Sequence, residues 1–508
     1  MRRYRALAGA AVTALAAGLL GAPGVAVASH KPVHPAAAVE HKGPDGSTPL
    51  QWAVYKGDVS EVKRLLEAGA NVSEANNYGA TPMQLASATG NAAILKLLLD
   101  AGADVESPNI DGQTALMDVA RTGNVEAARL LIKHGANVDT VEQFGGQTAL
   151  MWASARRHPQ MMELLLSKGA SVNARSKVRN YLRHITAEGR AKDVNSGGLT
   201  PLLYAARENC LECVNVLLHH HVDVNLPDPD GVAPLTVAMM NENWDVAKRL
   251  ILAGADVNEW DIYGMAPLHV AIEAGVVGER VSLFGARRDY SALDPPSQTN
   301  AHEVIGMLVE RGANPNQQMY FRAPREPGMV SGGARGTTPF LVACTSGDVD
   351  LVKLLLAHGA DVTLDQADGQ TAMMLALSTR RGEDRAIQVL RVLHAAGADV
   401  NVIAKAHHLQ RTRGGTALHV ATRLGWKKAM AELVSYGANV NAKDPDGLTA
   451  LDYAMARGYI PFLGQRQPAR PDLAKLLRGW GATVELAKTP DWPPVGPPIG
   501  YEATIWPL

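Results

Sequence analysis

The stretch Gly415-Thr416-Ala417-Leu418-His419-Val420-Ala421, running on to Tyr436-Gly437-Ala438-Asn439-Val440-Asn441, decides the fold. Thr416 stands where an N-cap hydroxyl would start a short helix with Leu418, Val420 and Ala421 on its apolar face. Gly425 breaks that helix. A second follows, with Met430, Leu433 and Val434 at core spacing, and Gly437 ends it in the left-handed conformation that glycine tolerates best. Asp446-Gly447 then turns the chain into another opening at Thr449-Ala450-Leu451, 33 residues after Thr416. Two antiparallel helices and a turn at that period are the signature of a stacked helical repeat.

Working outward, the same opening recurs at Thr48, Thr81, Thr114, Thr148, Thr200, Ala233, Ala266, Thr338, Thr371, Thr416 and Thr449, eleven copies in all. In Thr48-Pro49-Leu50, Thr81-Pro82-Met83 and Thr200-Pro201-Leu202 a proline occupies the first helical position, where its missing N–H is no loss. Thr416-Ala417-Leu418-His419-Val420-Ala421 resembles the T-P-L-H-x-A signature of ankyrin repeats, and Gly437-Ala438-Asn439-Val440-Asn441 resembles their G-A-x-V-N close. The chain is thereby identified as a member of that family over residues 45–484, which implies an all-α solenoid of about eleven helix–turn–helix repeats with extended finger loops. Ala, Leu and Val supply the apolar positions and aromatics make up only 5% of the 508 residues, which suits narrow, closely packed helix pairs.

Outside the array, Met1-Arg2-Arg3-Tyr4-Arg5 is a basic start, Ala6 to Leu20 an uncharged and largely apolar run, and Ala26-Val27-Ala28 a small-residue cleavage site. Residues 1–28 therefore read as a signal peptide of bacterial type, and Pro23 and Gly24 argue against an uncleaved anchor. The expected location is the periplasm or the outside of the cell. Residues 29–44 read as a linker. Residues 485–508, with Trp492-Pro493-Pro494 and Ile505-Trp506-Pro507, form a Pro/Trp-rich tail expected to fold back over the last repeat, the alternative being a proline-rich ligand for a separate module.

Long insertions fall at 175–197, 319–337 and 402–415, in the turns between repeats that the family calls fingers. Others fall at 276–300 and 459–470, between the two helices of one repeat. Loops of both kinds absorb length at small entropic cost.

Charge separates the fingers from the rest. The chain carries a formal −1, and loss of residues 1–28 leaves −4. The first finger holds Arg175, Lys177, Arg179, Arg183, Arg190 and Lys192 against Glu188 and Asp193. The second holds Arg322, Arg325 and Arg335 against Glu326, and the third Lys405, Arg411 and Arg413. Together the three hold +9, so the remainder of the mature chain holds −13. The resemblance implies that residues just before the mid-repeat glycine line the concave face. Here they include Lys56, Arg121, Arg156, Arg157, Arg207, Arg423 and Arg457, against Glu208, Glu242 and Glu273. A groove of one sign steers partners of the other.

Chemistry is sparse. Cys210-Leu-Glu-Cys213 has redox spacing, but in the repeat frame 213 is a core valine position and 210 a turn position, and three cysteines give no disulfide framework. His219-His220-His221 are adjacent on a helix and diverge, and His407-His408 have no fixed co-ligand, so neither pattern is a metal site. His269 and His419 belong to the repeat motif, which implies a structural role. No nucleophile triad, phosphate loop or paired-acid motif stands out. The expectation is a monomeric, non-catalytic scaffold without cofactor, with no membrane span after signal cleavage and no nucleic-acid role. It binds a protein of acidic or extended surface through its concave groove and basic fingers. The alternatives are an anionic envelope polymer or lipid head group as ligand, or a redox role for Cys210 and Cys213.

Overall fold

The computed structural model describes residues 42–185, 190–277, 298–320, 336–407, 412–455, 459–460, 465–466 and 469–483. The signal peptide, most of the linker and the C-terminal tail lie outside the described residues, as do Glu188, Arg322, Arg325, Glu326, Arg335, His408, Arg411 and Arg457.

Among the described residues eleven pairs of antiparallel helices follow one another, from Pro49–Lys56 with Val59–Glu67 to Ala450–Ala454 with Pro471–Gly479. Most inner helices start as the sequence dictates; Thr371 and Thr416 are the exceptions among the threonines, with no side-chain cap bond, and the Thr416 hydroxyl turns to His419 Nδ1 at 2.9 Å instead. The hydroxyls of Thr48, Thr81, Thr114, Thr148, Thr200, Thr338 and Thr449 accept the amide three residues on. Such a cap is worth about 1 kcal/mol. Ala233 and Ala266 open their helices without one, each followed by proline.

The second residue of each inner helix enters the core: Leu50, Met83, Leu116, Leu150, Leu202, Leu235, Leu268, Phe340, Met373, Leu418 and Leu451 are all buried. One apolar cluster runs from Leu50 to Ala482, so each repeat is stabilised by its neighbours, not by a core of its own. In the tenth repeat Val420 is only half-buried and His419 is buried instead. The reason is that His419 bridges two repeats. Its Nδ1 accepts the Thr416 amide at 3.1 Å and its Nε2 donates to the Leu448 carbonyl of the next finger at 3.1 Å. His269 does the same with Ala266 and Thr337. In the first two repeats glutamine does this work: Gln51 accepts from Thr48 and donates to Ala80, and Gln84 accepts from Thr81 and donates to Ser107.

A second inter-repeat tie comes from the closing asparagine, which follows valine in every case but Pro315-Asn316. Asn173, Asn225, Asn258, Asn316, Asn401 and Asn441 each accept, on the side-chain oxygen, a backbone amide of the following repeat at 2.7–3.0 Å. The Asn173, Asn258 and Asn316 bonds span the insertions at 175–197, 276–300 and 319–337, so the stack continues past them. The outer helices carry exposed ion pairs between neighbours, such as Lys248–Glu303, Arg391–Glu432 and Lys428–Asp384.

Beyond the helices, three two-stranded ribbons stand among the described residues. Arg179–Ile185 (β1) pairs antiparallel with Arg190–Ser196 (β2), and Ala404–His407 (β3) with Thr412–Gly415 (β4). A two-residue ladder joins Tyr459–Ile460 (β5) to Gln465–Arg466 (β6). Two of the long fingers are thus hairpins.

Candidate functional site: the finger edge

The fingers stack on one another through their backbones. The amides of Asn77, Gln143, Lys177, Ile262, Tyr320 and Lys405 each donate to a carbonyl of the preceding finger, at 2.7–3.0 Å. Within a finger, an Asx side chain shapes the turn: Asn76 accepts the amides of Tyr78 and Ala80, and Asn109 those of Asp111 and Gln113. Asp228 does so for Asp230 and Val232, and Asp261 for Tyr263 and Met265. Burial, with Asp230 and Asp261 nearby, raises the Asp228 carboxyl to about 6.

Such a turn leaves the residues at its tip pointing outward. Ile110 is 81% exposed, Tyr78 76% and Phe144 63%, and Trp260, Ile262, Tyr320 and Ile403 are each near half-exposed. Scattered exposed apolar side chains are ordinary, but several carried by successive stacked fingers, within a few residues of one another in the repeat, make an interaction edge. Formal charge carries no trace of this row. Its signal is the apolar residue preceding the turn glycine, as in Asn-Tyr78-Gly, Ile110-Asp-Gly and Phe144-Gly-Gly.

The cations sort into three groups. Lys56, Arg156, Arg157, Lys177 and Lys405 are exposed, Arg157 with a left-handed backbone at φ 61°. Others are held within the protein. Arg121 pairs with Asp118 at 3.5 Å, and Arg207 donates to Glu208 at 2.8 Å and lies over the Tyr204 ring. Arg175 donates to the Gly198 carbonyl at 2.8 Å, and Arg179 stacks 3.9 Å over the Phe144 ring. Arg423 is held beneath the Gly414 carbonyl and beside Tyr453, and burial lowers its pKa. Arg183, Arg190, Lys192 and Arg413 sit in the ribbons, at register positions given by strand pairing.

Cys210 and Cys213 are joined in a disulfide, 5.2 Å between Cα atoms, where no bridge was expected. The Cys210 sulfur also accepts the Cys213 amide, filling the outer-helix cap that Asp58 and Asn91 fill elsewhere. Both sulfurs belong to buried residues, so the pair presents no exposed sulfur to a redox substrate. Cys344 is buried, and burial raises its thiol pKa. His220 lies 3.2 Å from Glu163. Among the described residues no three ligand-type side chains are grouped to hold a metal, and no helix is long and apolar enough to cross a membrane.

A family model for ankyrin repeats in sets of three matches residues 29–109, 94–176, 202–283, 297–404 and 387–465. The chain belongs to the ankyrin-repeat family. Such repeats mediate protein–protein interaction, and the array is a protein-binding scaffold by family. Among relatives, it is 24% identical over 305 residues to an Arabidopsis thaliana E3 ubiquitin-protein ligase, KEG, covering 55% of this chain and 18% of the ligase. It is 29% identical over 198 residues to human ankyrin repeat and SOCS box protein 16 (38% of this chain, 44% of that one), and 31% identical over 244 residues to the mouse B-cell lymphoma 3 protein homolog (46% and 51%). This ankyrin array thus spans about half or less of those relatives' lengths. Among solved structures, the ankyrin repeat domain of Bcl-3 is 28% identical, with 44% of this chain and 94% of that domain covered and a TM-score of 0.38.

Proposed function

We propose that this ankyrin array is an exported, non-catalytic scaffold that holds another protein along its finger edge and concave groove, in the bacterial envelope or outside the cell. The observation that carries the reading is the finger row itself. Six of its junctions are bonded backbone to backbone, and it presents Tyr78, Ile110, Phe144, Ile262, Tyr320 and Ile403 outward. Lys177 and Lys405 stand exposed beside it. Apolar tips interleaved with cations suit a protein surface that is both apolar and acidic, because aromatic anchors give affinity and charges set encounter and register. A pure polyanion would use the cations and leave the tips idle, which ranks an envelope polymer or lipid head group second. Export rests on residues 1–28, and the partner's acidity on the sign of the fingers.

Capture from envelope extract on immobilised residues 29–508 tests this reading. The account expects a specific protein retained by the parent and lost from an Ile110→Ser/Phe144→Ser variant, with retention weakening as salt rises. Equal retention by parent and variant would refute the use of the tips.

A further inference from the structure

The ribbon at 179–196 is a placed arm. At its base the Ser176 amide donates to the Leu199 carbonyl at 3.0 Å, and the Leu199 amide donates back to the Ser176 hydroxyl at 2.9 Å. Arg175 closes on Gly198, and the Lys177 amide reaches the Gly145 carbonyl of the preceding finger at 2.7 Å. Gly197 and Gly198 carry φ of 82° and 65°. A Cβ on the first would stand 2.0 Å from the Lys177 carbonyl oxygen, and on the second 2.3 Å from Pro229, so no larger residue fits this base.

The strand register then sorts the residues. Pairing is Arg179 with Ser196, Tyr181 with Val194, Arg183 with Lys192 and Ile185 with Arg190, and these four pairs share one face. That face takes every Lys and Arg of the two strands, with three apolar residues and no acid. The other face takes Asn180, Leu182, His184, Ala191, Asp193 and Asn195. The shorter ribbon shows no such sorting: Arg413 pairs with Ala406, on the face opposite Lys405. Like charges directly opposed, as at Arg183 and Lys192, destabilise a ribbon, and a ribbon of two strands is marginal by itself. Arg179, at the base of that face, stacks over Phe144, so the face begins against an exposed tip of the finger row.

Resting on the scaffold reading, we infer that the basic face of the 179–196 arm and the tips of Phe144, Ile110 and Tyr78 form one continuous site for an extended protein segment that is acidic at one end and apolar at the other. Carboxylates of that segment lie against Arg183, Arg190 and Lys192 and relieve their mutual repulsion. Its apolar residues recur every third position, because stacked repeats are about 10 Å apart and an extended chain rises about 3.3 Å per residue.

The probe is a fluorescein-labelled peptide with four glutamates followed by three leucines spaced three apart in a serine background, titrated into residues 29–508 and read by anisotropy. The site predicts binding at least tenfold tighter than for versions with lysine for glutamate or serine for leucine. It also predicts a tenfold loss and a flatter salt dependence in an Arg183→Ser/Arg190→Ser/Lys192→Ser variant. The conservative Arg183→Lys/Arg190→Lys variant retains binding. An Ile110→Ser/Phe144→Ser variant loses the leucine preference and keeps the glutamate preference. Circular dichroism of every variant should match the parent, since the arm lies outside the helix stack. Equal binding by parent and triple-serine variant overturns the site, as does displacement of the peptide by polyphosphate or by phosphatidylglycerol vesicles at lower concentration than by unlabelled peptide. Partner capture that survives the triple-serine change but not the tip change would sink the arm and leave the scaffold standing. Capture indifferent to both would sink both.

Discussion

Replacing His269 and His419 by glutamine should flatten the acid sensitivity of this protein without harming it at neutral pH. Each imidazole is buried, accepts a backbone amide at Nδ1 and donates from Nε2 to the next repeat, a pattern that only the neutral ring can make. Burial, above all, depresses both pKa values from 6.5 to about 4. At His419, Asp444 and Asp452 pull the value up while Arg423 pushes it down. A group depressed on folding contributes stability that is present above its unfolded pKa and is lost as pH falls through 6.5 towards 4. At pH 5.5 the loss is about 1.4 kcal/mol per histidine, so about 3 kcal/mol for the two. Glutamine is the right replacement because Gln51 and Gln84 already make the same pair of bonds in the first two repeats without titrating. Thermal unfolding followed by circular dichroism at pH 7.5 and 5.5 gives the comparison. The parent should lose about 3 kcal/mol more than the His269→Gln/His419→Gln variant over that interval. Equal losses in the two proteins would refute the reasoning.

Asp228→Asn should act with the opposite sign. A carboxyl raised on folding contributes stability below 3.8 that is lost as pH rises through about 6, so asparagine, which Asn76 and Asn109 already supply at this turn position, should stabilise by about 1–3 kcal/mol at pH 7.5 and by little at pH 4. Melting curves at both pH values check it. Arg157 and Glu242 hold the left-handed position that Gly57 and Gly90 hold in the first two repeats, so Arg157→Gly and Glu242→Gly should each raise stability by about 1 kcal/mol in urea unfolding. The pair Cys210→Asp/Cys213→Val restores an oxygen cap and a core valine, and its melting temperature should not move on addition of dithiothreitol, whereas the parent's should fall.

What was legible in the sequence is what local chemistry dictates. Leu418, Gly425 and Gly437 each do a job set by their immediate neighbours, so the repeat and its phase follow directly, and among the described residues eleven helix pairs stand where eleven openings were counted. Partners fixed by stacking were not legible. Arg423 looks like a groove cation until Tyr453 of the next repeat closes beside it, whereas the pairs Arg207–Glu208 and Arg121–Asp118 are local to one repeat and were open to reading from spacing alone. The basic character of the 175–197 finger is plain in composition, but the segregation of its cations depends on strand register, which two flanking glycines and a Ser176–Leu199 clasp set. The tips of Tyr78, Ile110 and Phe144 went unread because an isolated apolar residue in a turn has no meaning until its neighbours from other repeats line up with it.

Site-specific photo-crosslinking tests the central claim most directly. A photoreactive phenylalanine is placed in turn at Ile110, Phe144 and Tyr320 on the finger edge, and at Arg129, Glu163 and Lys248 on the outer helices, in the full chain expressed in a bacterial host that exports it. The account predicts that one and the same protein adduct forms from the three edge positions and from none of the outer-helix ones. Adducts from the outer helices with none from the edge would contradict it.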